Sequence, residues 1–335
     1  MTTACTLVLS PGHACPGHPE DPSRFGLLMD LQRKAKALHF LEPCPAPRRA
    51  VAAVHSEDML RTLEAACAQG PAWIDLAPTF VTPTSFSDAL LAVGATLACC
   101  EAVLGGQADN AFALVRPPGH HAEPQAAKGF CLLNNVAIAA RAALDRGIGR
   151  VLIVDFDAHH GNGTQAAFLE ESRAAYFSTQ QEDIYPFHSG FMTDAPQSRG
   201  RIVNLPLPKR SGDRSFARIT GEVLTPLVER FRPEMIFASA GFDGAWNDTQ
   251  AELGLSPAGY HDFARQLVAL AGQYCQGRLV CVLEGGYNPA ALAGGIEAVL
   301  AALSGAAFSA GDPSPYPEPE IGLRIAEVRR LHGLG

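Results

Sequence analysis

Seven strand-like runs, most of them continuously apolar, with helical patterns between them, are what most limits the fold open to this 335-residue chain. The runs are Thr6–Leu9, Ala111–Val115, Val151–Asp155, Ala174–Ser178, Ile202–Leu205, Met235–Ser239 and Leu279–Leu283. A strand with one wet face alternates apolar and polar residues; a strand covered on both faces is apolar throughout. Helical spacing fills Phe25–Leu38, Asp58–Ala68, Phe86–Leu104, Leu133–Asp145, Phe216–Phe231, Pro257–Gln276 and Pro289–Leu303. The alternation predicts an α/β fold, a parallel sheet with helices on both faces. The one linker-like stretch, Gly311–Glu320 (GDPSPYPEPE), leads to a short helix over Ile321–Leu331 laid on the body. The whole of 1–335 therefore reads as a single domain, with 311–335 packed on it.

Composition narrows the function classes. Hydrophobic residues make up 47 % and charged residues 18 %, enough for a large core. A net charge of -8 without a basic run argues against nucleic acid as a partner. No apolar run reaches the roughly 18 residues expected of a membrane span. The opening MTTACTLVLSPGH lacks the basic start and long apolar centre of a signal peptide. Nine scattered cysteines, an odd count without paired zinc-finger spacing, predict reduced thiols and a cytoplasmic protein.

Four of the predicted strands run straight into polar clusters. Ala111–Val115 leads to Arg116-Pro117-Pro118-Gly119-His120-His121, and Val151–Asp155 to Asp157, His159, His160, Gly161 and Asn162. Met235–Ser239 leads to Gly241-Phe242-Asp243, and Leu279–Leu283 to Glu284-Gly285-Gly286-Tyr287. Parallel sheets bind ligands beyond the carboxyl ends of their strands, so these clusters predict one active site. Asp157, His159 and Asp243 offer three ligands of the type zinc takes, leaving a position open for water and substrate. His120 or His121 can act as a general base toward that water. Asp155 and Asn162 are available to fix a histidine tautomer. Tyr287, after two glycines, can donate its hydroxyl to a tetrahedral oxyanion.

With those residues in place, the chain resembles the zinc-dependent histone deacetylase family. The similarity is to the branch holding class II enzymes, bacterial deacetylase-like amidohydrolases and acetylpolyamine amidohydrolases. The matching motifs are RPPGHHAEP (Arg116–Pro124), GFCLLNNVAIAA (Gly129–Ala140), VDFDAHHGNGTQ (Val154–Gln165), SAGFD (Ser239–Asp243) and LEGGYN (Leu283–Asn288). GHPEDPSR (Gly17–Arg24) and VHSEDML (Val54–Leu60) match more weakly. The resemblance implies the arginase/deacetylase fold, with about eight parallel strands, and hydrolysis of an acetylated amine to acetate and free amine. It implies Asp157, His159 and Asp243 as zinc ligands, and His121 as general base with His120 as its electrostatic or acid partner. Asp155 and Asn162 become the partners of His120 and His121, and Tyr287 the transition-state donor. It also implies a structural potassium ion held by Asp155, Ser178 and the main-chain carbonyls of Asp157 and His159. Phe130 and Tyr185 are expected as tunnel walls, and Cys131 near the acetate end.

Departures from the family pattern fall around the tunnel mouth. Tyr185-Pro186-Phe187-His188-Ser189-Gly190 replaces the commoner Tyr-Pro-Gly-Thr-Gly, so Phe187 and His188 are expected to reshape the entrance. Gln180 stands where relatives often have His, and Gln250 where the rim is apolar or acidic. Trp246 is read as either a stacking platform for substrate or a cover for the rim. The expected substrate is an acetyl-lysine side chain or a similar acylated amine; the alternative is an acetylpolyamine or other small acylated amine. A non-catalytic binder of acylated amines and a two-manganese hydrolase are disfavoured by the intact set of three ligands, base and tyrosine. Oligomeric state is left open by the sequence, and a homo-oligomer is compatible with it.

Overall fold

The computed structural model describes residues 1–29, 31, 35 and 38–335. Its centre is an eight-stranded sheet in which every pairing is parallel. The strands are β1 (Thr3–Val8), β2 (Leu38–Phe40), β5 (Asn110–Val115), β6 (Val151–Asp155), β7 (Ala174–Gln181), β8 (Ile202–Leu207), β9 (Met235–Ala240) and β10 (Leu279–Leu283). β3 (Ala72–Trp73) and β4 (Phe80–Val81) form a separate small antiparallel pair. The sheet order is β2-β1-β5-β10-β9-β6-β7-β8. The chain builds outward to both edges first, and β9 and β10 then fill the middle.

The helices are α1 (Arg48–Val51), α2 (Glu57–Gln69), α3 (Ser85–Leu104), α4 (Asn135–Asp145), α5 (Asn162–Phe168), α6 (Asp213–Ile219), α7 (Thr225–Phe231), α8 (Pro257–Tyr274), α9 (Pro289–Ser304) and α10 (Gly322–His332). Along β6, Val151 and Ile153 enter one core cluster with α3 and α4, whereas Leu152 and Val154 enter the other with α7, α8 and α9. Side chains alternate across a strand, so both faces are covered and the run is apolar at each step. Helix α3 is long and apolar, and much of it is buried in the core cluster on that face.

All seven expected strands are present; β2, β3, β4, α1 and α5 are additional to the expected elements, and two expected helices take a different form. β2 is a three-residue edge strand with no buried residue, which leaves no apolar run to read. Phe216–Phe231 is two helical pieces joined by a π-helical turn over Thr220–Leu224. Phe25–Leu38 begins as a 3₁₀ helix at Pro22–Leu28, capped by Asp21; most of its remainder lies outside the described residues. The C-terminal helix α10 sits over the edge of the sheet, where Arg324 meets Glu182 at 2.8 Å and donates to the Pro206 carbonyl.

Candidate metal and catalytic site

The strands that carry the four polar clusters, β5, β10, β9 and β6, are consecutive in the sheet. Their carboxyl ends therefore open onto one place. Asp155 is the last residue of β6 and is in register with Ser239 of β9 and Ser178 of β7. The chain then turns through Asp157 and His159, and Asp243 follows three residues after β9.

One donor atom from each of Asp157, His159 and Asp243 lies within 4.8 Å of the other two. His159 Nδ1 is 2.8 Å from Asp243 Oδ2 and 3.3 Å from Asp157 Oδ1. Burial, with the Asp157 charge added, pushes the Asp243 carboxyl up to about 7. Burial works against a charged His159, but its hydrogen bonds to the two aspartates prevail and push it up to about 10. A cation is thus favoured between the carboxylates. Two carboxylates and an imidazole converging there fit a divalent ion of borderline softness, with the cavity side open. Backbone donors fix the carboxylates: Gly285 N–H to Asp157 and Ala158 N–H to Asp243, both at 2.9 Å. A Cβ on residue 285 would lie 2.5 Å from Asp243 Oδ2 and 2.7 Å from Asp157 Oδ2, so the approach requires glycine.

The two histidines after β5 are differentiated by their partners. His120 Nδ1 is 3.2 Å from Asp155 Oδ2, and His121 Nδ1 is 2.8 Å from Asn162 Oδ1. Burial opposes the His120 cation, yet the charges of Asp157, Asp155 and Glu284 raise its pKa to about 10. Burial and then the neighbouring His120 and His159 hold His121 well below the usual histidine value. Adjacent residues thus present one charged and one neutral imidazole. Their loop is held by residues the motifs did not assign. Arg116 is fully buried and donates to both carboxylate oxygens of Glu20 and to the carbonyls of Leu9, Ser10 and His13. Glu284 accepts from Gly119 N–H at 2.7 Å and His120 N–H at 3.1 Å, and burial pushes its carboxyl up to about 7. Asn134 donates to the Ala122 carbonyl.

Tyr287 is held from behind. Its N–H donates to Asp248 Oδ2 at 2.7 Å, and the next N–H, of Asn288, donates to the same oxygen at 2.9 Å. Arg24 donates to the carbonyls of Gly286 and Glu284, and its guanidinium stands 5.4 Å from the Tyr287 ring centre. Phe130 meets that ring edge-on at 5.9 Å, and Tyr185 meets His121 edge-on at 4.9 Å. These rings border a cavity of about 470 Å³ that reaches His121 and His159. Leu76, Phe187 and Gln250 complete its mouth.

The structure brings together Asp157, His159, Asp243, His120, His121, Asp155, Asn162, Tyr287, Phe130, Tyr185, Phe187 and Gln250. Two expectations about the mouth are corrected. His188 is exposed and does not line the cavity, because the loop turns back toward Ser189, which hydrogen-bonds His160 at 2.7 Å. Trp246 lines a different cleft, beside Pro257 and Tyr260, on a segment whose backbone is paired there: the Trp246 main-chain N–H donates to the Leu255 carbonyl. The loop Leu76-Ala77-Pro78 was missed; it is a short apolar surface turn with no chemistry in its sequence to mark it. His18 supports it, hydrogen-bonding the Pro78 carbonyl and packing edge-on to Phe130 at 4.5 Å. Cys131 is fully buried close to His120 and Glu284. Ser178 is buried beside Asp155 and donates its proton to Gln180, which leaves the oxygen lone pairs to serve as acceptors.

Comparison with known proteins gives consistent findings. Residues 18–303 match the model of the histone deacetylase domain. A probable deacetylase of Archaeoglobus fulgidus is 39 % identical, over 95 % of this chain and 93 % of the relative. A histone deacetylase-like amidohydrolase of Pseudomonas aeruginosa is 34 % identical, over 96 % of this chain and 87 % of the relative. The crystal structure of the HDA15 HD domain superposes with a TM-score of 0.88 at 30 % identity, covering 99 % of this chain and 94 % of that one.

Proposed function

From the plain fact that this chain belongs to the histone deacetylase family, we propose that it is a zinc-dependent amidohydrolase removing acetyl groups from a lysine-like amine. The observation that carries the reading is the convergence of Asp157, His159 and Asp243 at a cavity that also presents His121 and Tyr287. When bound, zinc supplies Lewis acidity toward the amide carbonyl and toward water. Neutral His121, its Nδ1 proton spent on Asn162, offers Nε2 to take the proton of the attacking water. Water adds to the carbonyl carbon, and the Tyr287 hydroxyl donates to the oxygen that gains charge. The carbon–nitrogen bond then breaks, a proton passes to the leaving nitrogen, and acetate and amine result. His120, favoured as a cation by the charges of Asp157, Asp155 and Glu284, stabilises the negative charge gathered during addition. The same reading places potassium at Asp155 and Ser178, and the protein in a reducing compartment such as the cytoplasm.

The mouth supports the choice of substrate. Leu76, Phe130, Tyr185 and Phe187 give it an apolar rim, and the polar rim residue Gln250 is neutral. Apart from the candidate metal ligands at its base, no carboxylate lies among the described residues lining the cavity. A second ammonium group would leave water there without a counter-charge, a cost an acyl-lysine stem does not meet. The test is acetate release by the zinc-loaded protein from an acetyl-lysine peptide and from acetylputrescine at equal concentration. Faster release from the peptide is expected. Preference for acetylputrescine overturns the substrate assignment, and release from neither substrate overturns the activity.

A further inference from the structure

His121 is oriented by Asn162, but an asparagine cannot orient anything unless its own amide is fixed. The two ends of the group are opposite in kind: Oδ1 accepts, Nδ2 donates, and half a turn about the last side-chain bond exchanges them. Asn162 is buried, so an exchange of ends is decided by protein partners. Its Nδ2 donates to Glu123 Oε1 at 2.7 Å. A carboxylate accepts only, and its charge repels a carbonyl oxygen turned toward it. With Glu123 in place Oδ1 must therefore face His121 Nδ1, at 2.8 Å.

That contact dictates where the imidazole proton sits. Facing a carbonyl oxygen, Nδ1 must carry the hydrogen, and in the neutral ring Nε2 then holds the lone pair. We propose that Glu123 is a positioning residue which, acting through Asn162, holds His121 in the tautomer that can accept a proton. The inference rests on His121 being the general base in the reading above. Lys128 Nζ lies 3.0 Å from Glu123 Oε1 and keeps a charged partner on the carboxylate. The backbone of Glu123 is tied down too: its carbonyl lies 3.0 Å from His55 Nδ1, and its N–H donates to Ala126. The line from Lys128 to His121 thus runs through Glu123 and Asn162, and Lys128 directly precedes the Gly129-Phe130 segment of the tunnel wall. Sequence alone could not mark this role, because Glu123 is 39 positions from Asn162 and lies within a loop motif where any acid reads as solvated.

The test compares zinc-loaded full-length protein with Glu123→Ala and Glu123→Gln, labelled with nitrogen-15 in histidine. At a pH where His121 is neutral, the imidazole nitrogen shifts report which nitrogen is protonated; a His121→Ala sample identifies the signals. The unaltered protein should show the proton on Nδ1, and so should Glu123→Gln, whose amide oxygen still accepts from Asn162 because Lys128, sharing that oxygen, keeps it rather than the amide nitrogen in place. Glu123→Ala should show a substantial share with the proton on Nε2. Its kcat should fall about 10-fold, as when about nine-tenths of His121 carries the proton on Nε2, less than the roughly 100-fold or more of a general base lost outright; KM should stay within a factor of about two, with kcat restored in Glu123→Gln. An unchanged tautomer in Glu123→Ala overturns the proposal. If Glu123→Ala does not fold, the Nδ2 protons of Asn162 in the unaltered protein decide: slow exchange supports the proposal, and exchange at the rate of a free amide overturns it. Because the tautomer is read without substrate, failure of this inference is distinct from failure of the deacetylase reading, which the acetate assay tests.

Discussion

Replacing Asp248 by alanine removes the single oxygen that accepts from both Tyr287 N–H and Asn288 N–H. It also removes the oxygen that accepts from Gln250 N–H at 3.0 Å. The two bonds to the tyrosine loop are short and charge-assisted, a type that runs about twice a neutral bond in strength. Both donors are only partly buried, so water can replace part of what is lost, and the cost to stability is about 2 kcal/mol. The cost to turnover is separate. The Asp248 carboxylate clamps the backbone on which the Tyr287 hydroxyl is carried; of the candidate metal ligands, Asp157 and His159 follow β6, and Asp243, in the same loop as Asp248, has its own anchor in the Ala158 N–H. A displacement of about 1 Å at a donor that must meet an oxyanion costs on the order of 100-fold in rate. The expected result is therefore a kcat lower by about 100-fold with bound metal unchanged. Asp248→Asn keeps an acceptor oxygen and should recover most of the loss. The assay is steady-state acetate release, with metal content measured on the same samples and urea unfolding for stability. A full 2 kcal/mol loss with unchanged kcat would mean that Asp248 only supports the helix start, and the reasoning about Tyr287 would be wrong.

Four other outcomes are expected. Tyr287→Phe should bind metal and substrate normally but turn over about 100-fold or more slowly, checked by kcat beside hydroxamate affinity; normal turnover refutes its role. Asp157→Ala should lose stoichiometric zinc by elemental analysis, since two remaining ligands hold the ion poorly. Glu20→Gln should cost about 3–5 kcal/mol in urea unfolding, because it leaves the fully buried Arg116 without a counter-charge; a loss under about 1 kcal/mol would show that the surrounding carbonyls alone suffice. His55 gives a pH dependence: burial lowers its pKa to about 4, against an ordinary value of 6.5 in the unfolded chain. The unfolded state therefore holds the extra proton between those values. The His55 contribution is complete above about pH 6.5 and is lost as pH falls toward 4, by about 3 kcal/mol in all. Subtracting the profile of His55→Gln isolates that term, and parallel profiles for the two proteins would refute it.

The site was legible because its side chains lie directly after strands that are apolar over most of their length. Val151–Asp155 illustrates this: the run fixes a central strand, a central parallel strand fixes where its carboxyl end lies, and Asp157 and His159 follow within four residues. The same logic placed Asp243 after β9 and Tyr287 after β10. The partners that aim these residues followed no such rule. Arg24 reaches the tyrosine loop from 262 positions away, and Glu284 reaches the His120 N–H from 164. A hydrogen bond across such a separation is set by the fold and leaves no spacing to read. The mouth was harder still, because exposed Leu76 and Phe187 carry no chemistry that separates a binding rim from an ordinary surface turn. His188 was misplaced for a related reason: the loop after Phe187 is held by long-range bonds, Ser189 to His160 and the Gly190 carbonyl to Gln180, that leave His188 exposed and off the cavity. Catalytic identity in this fold is thus written locally, at strand ends. The side chains and loops at those strand ends are held by distant acids, Glu20, Glu123, Asp248 and Glu284. Substitutions at those positions should therefore lower turnover or stability while leaving the metal-binding trio intact.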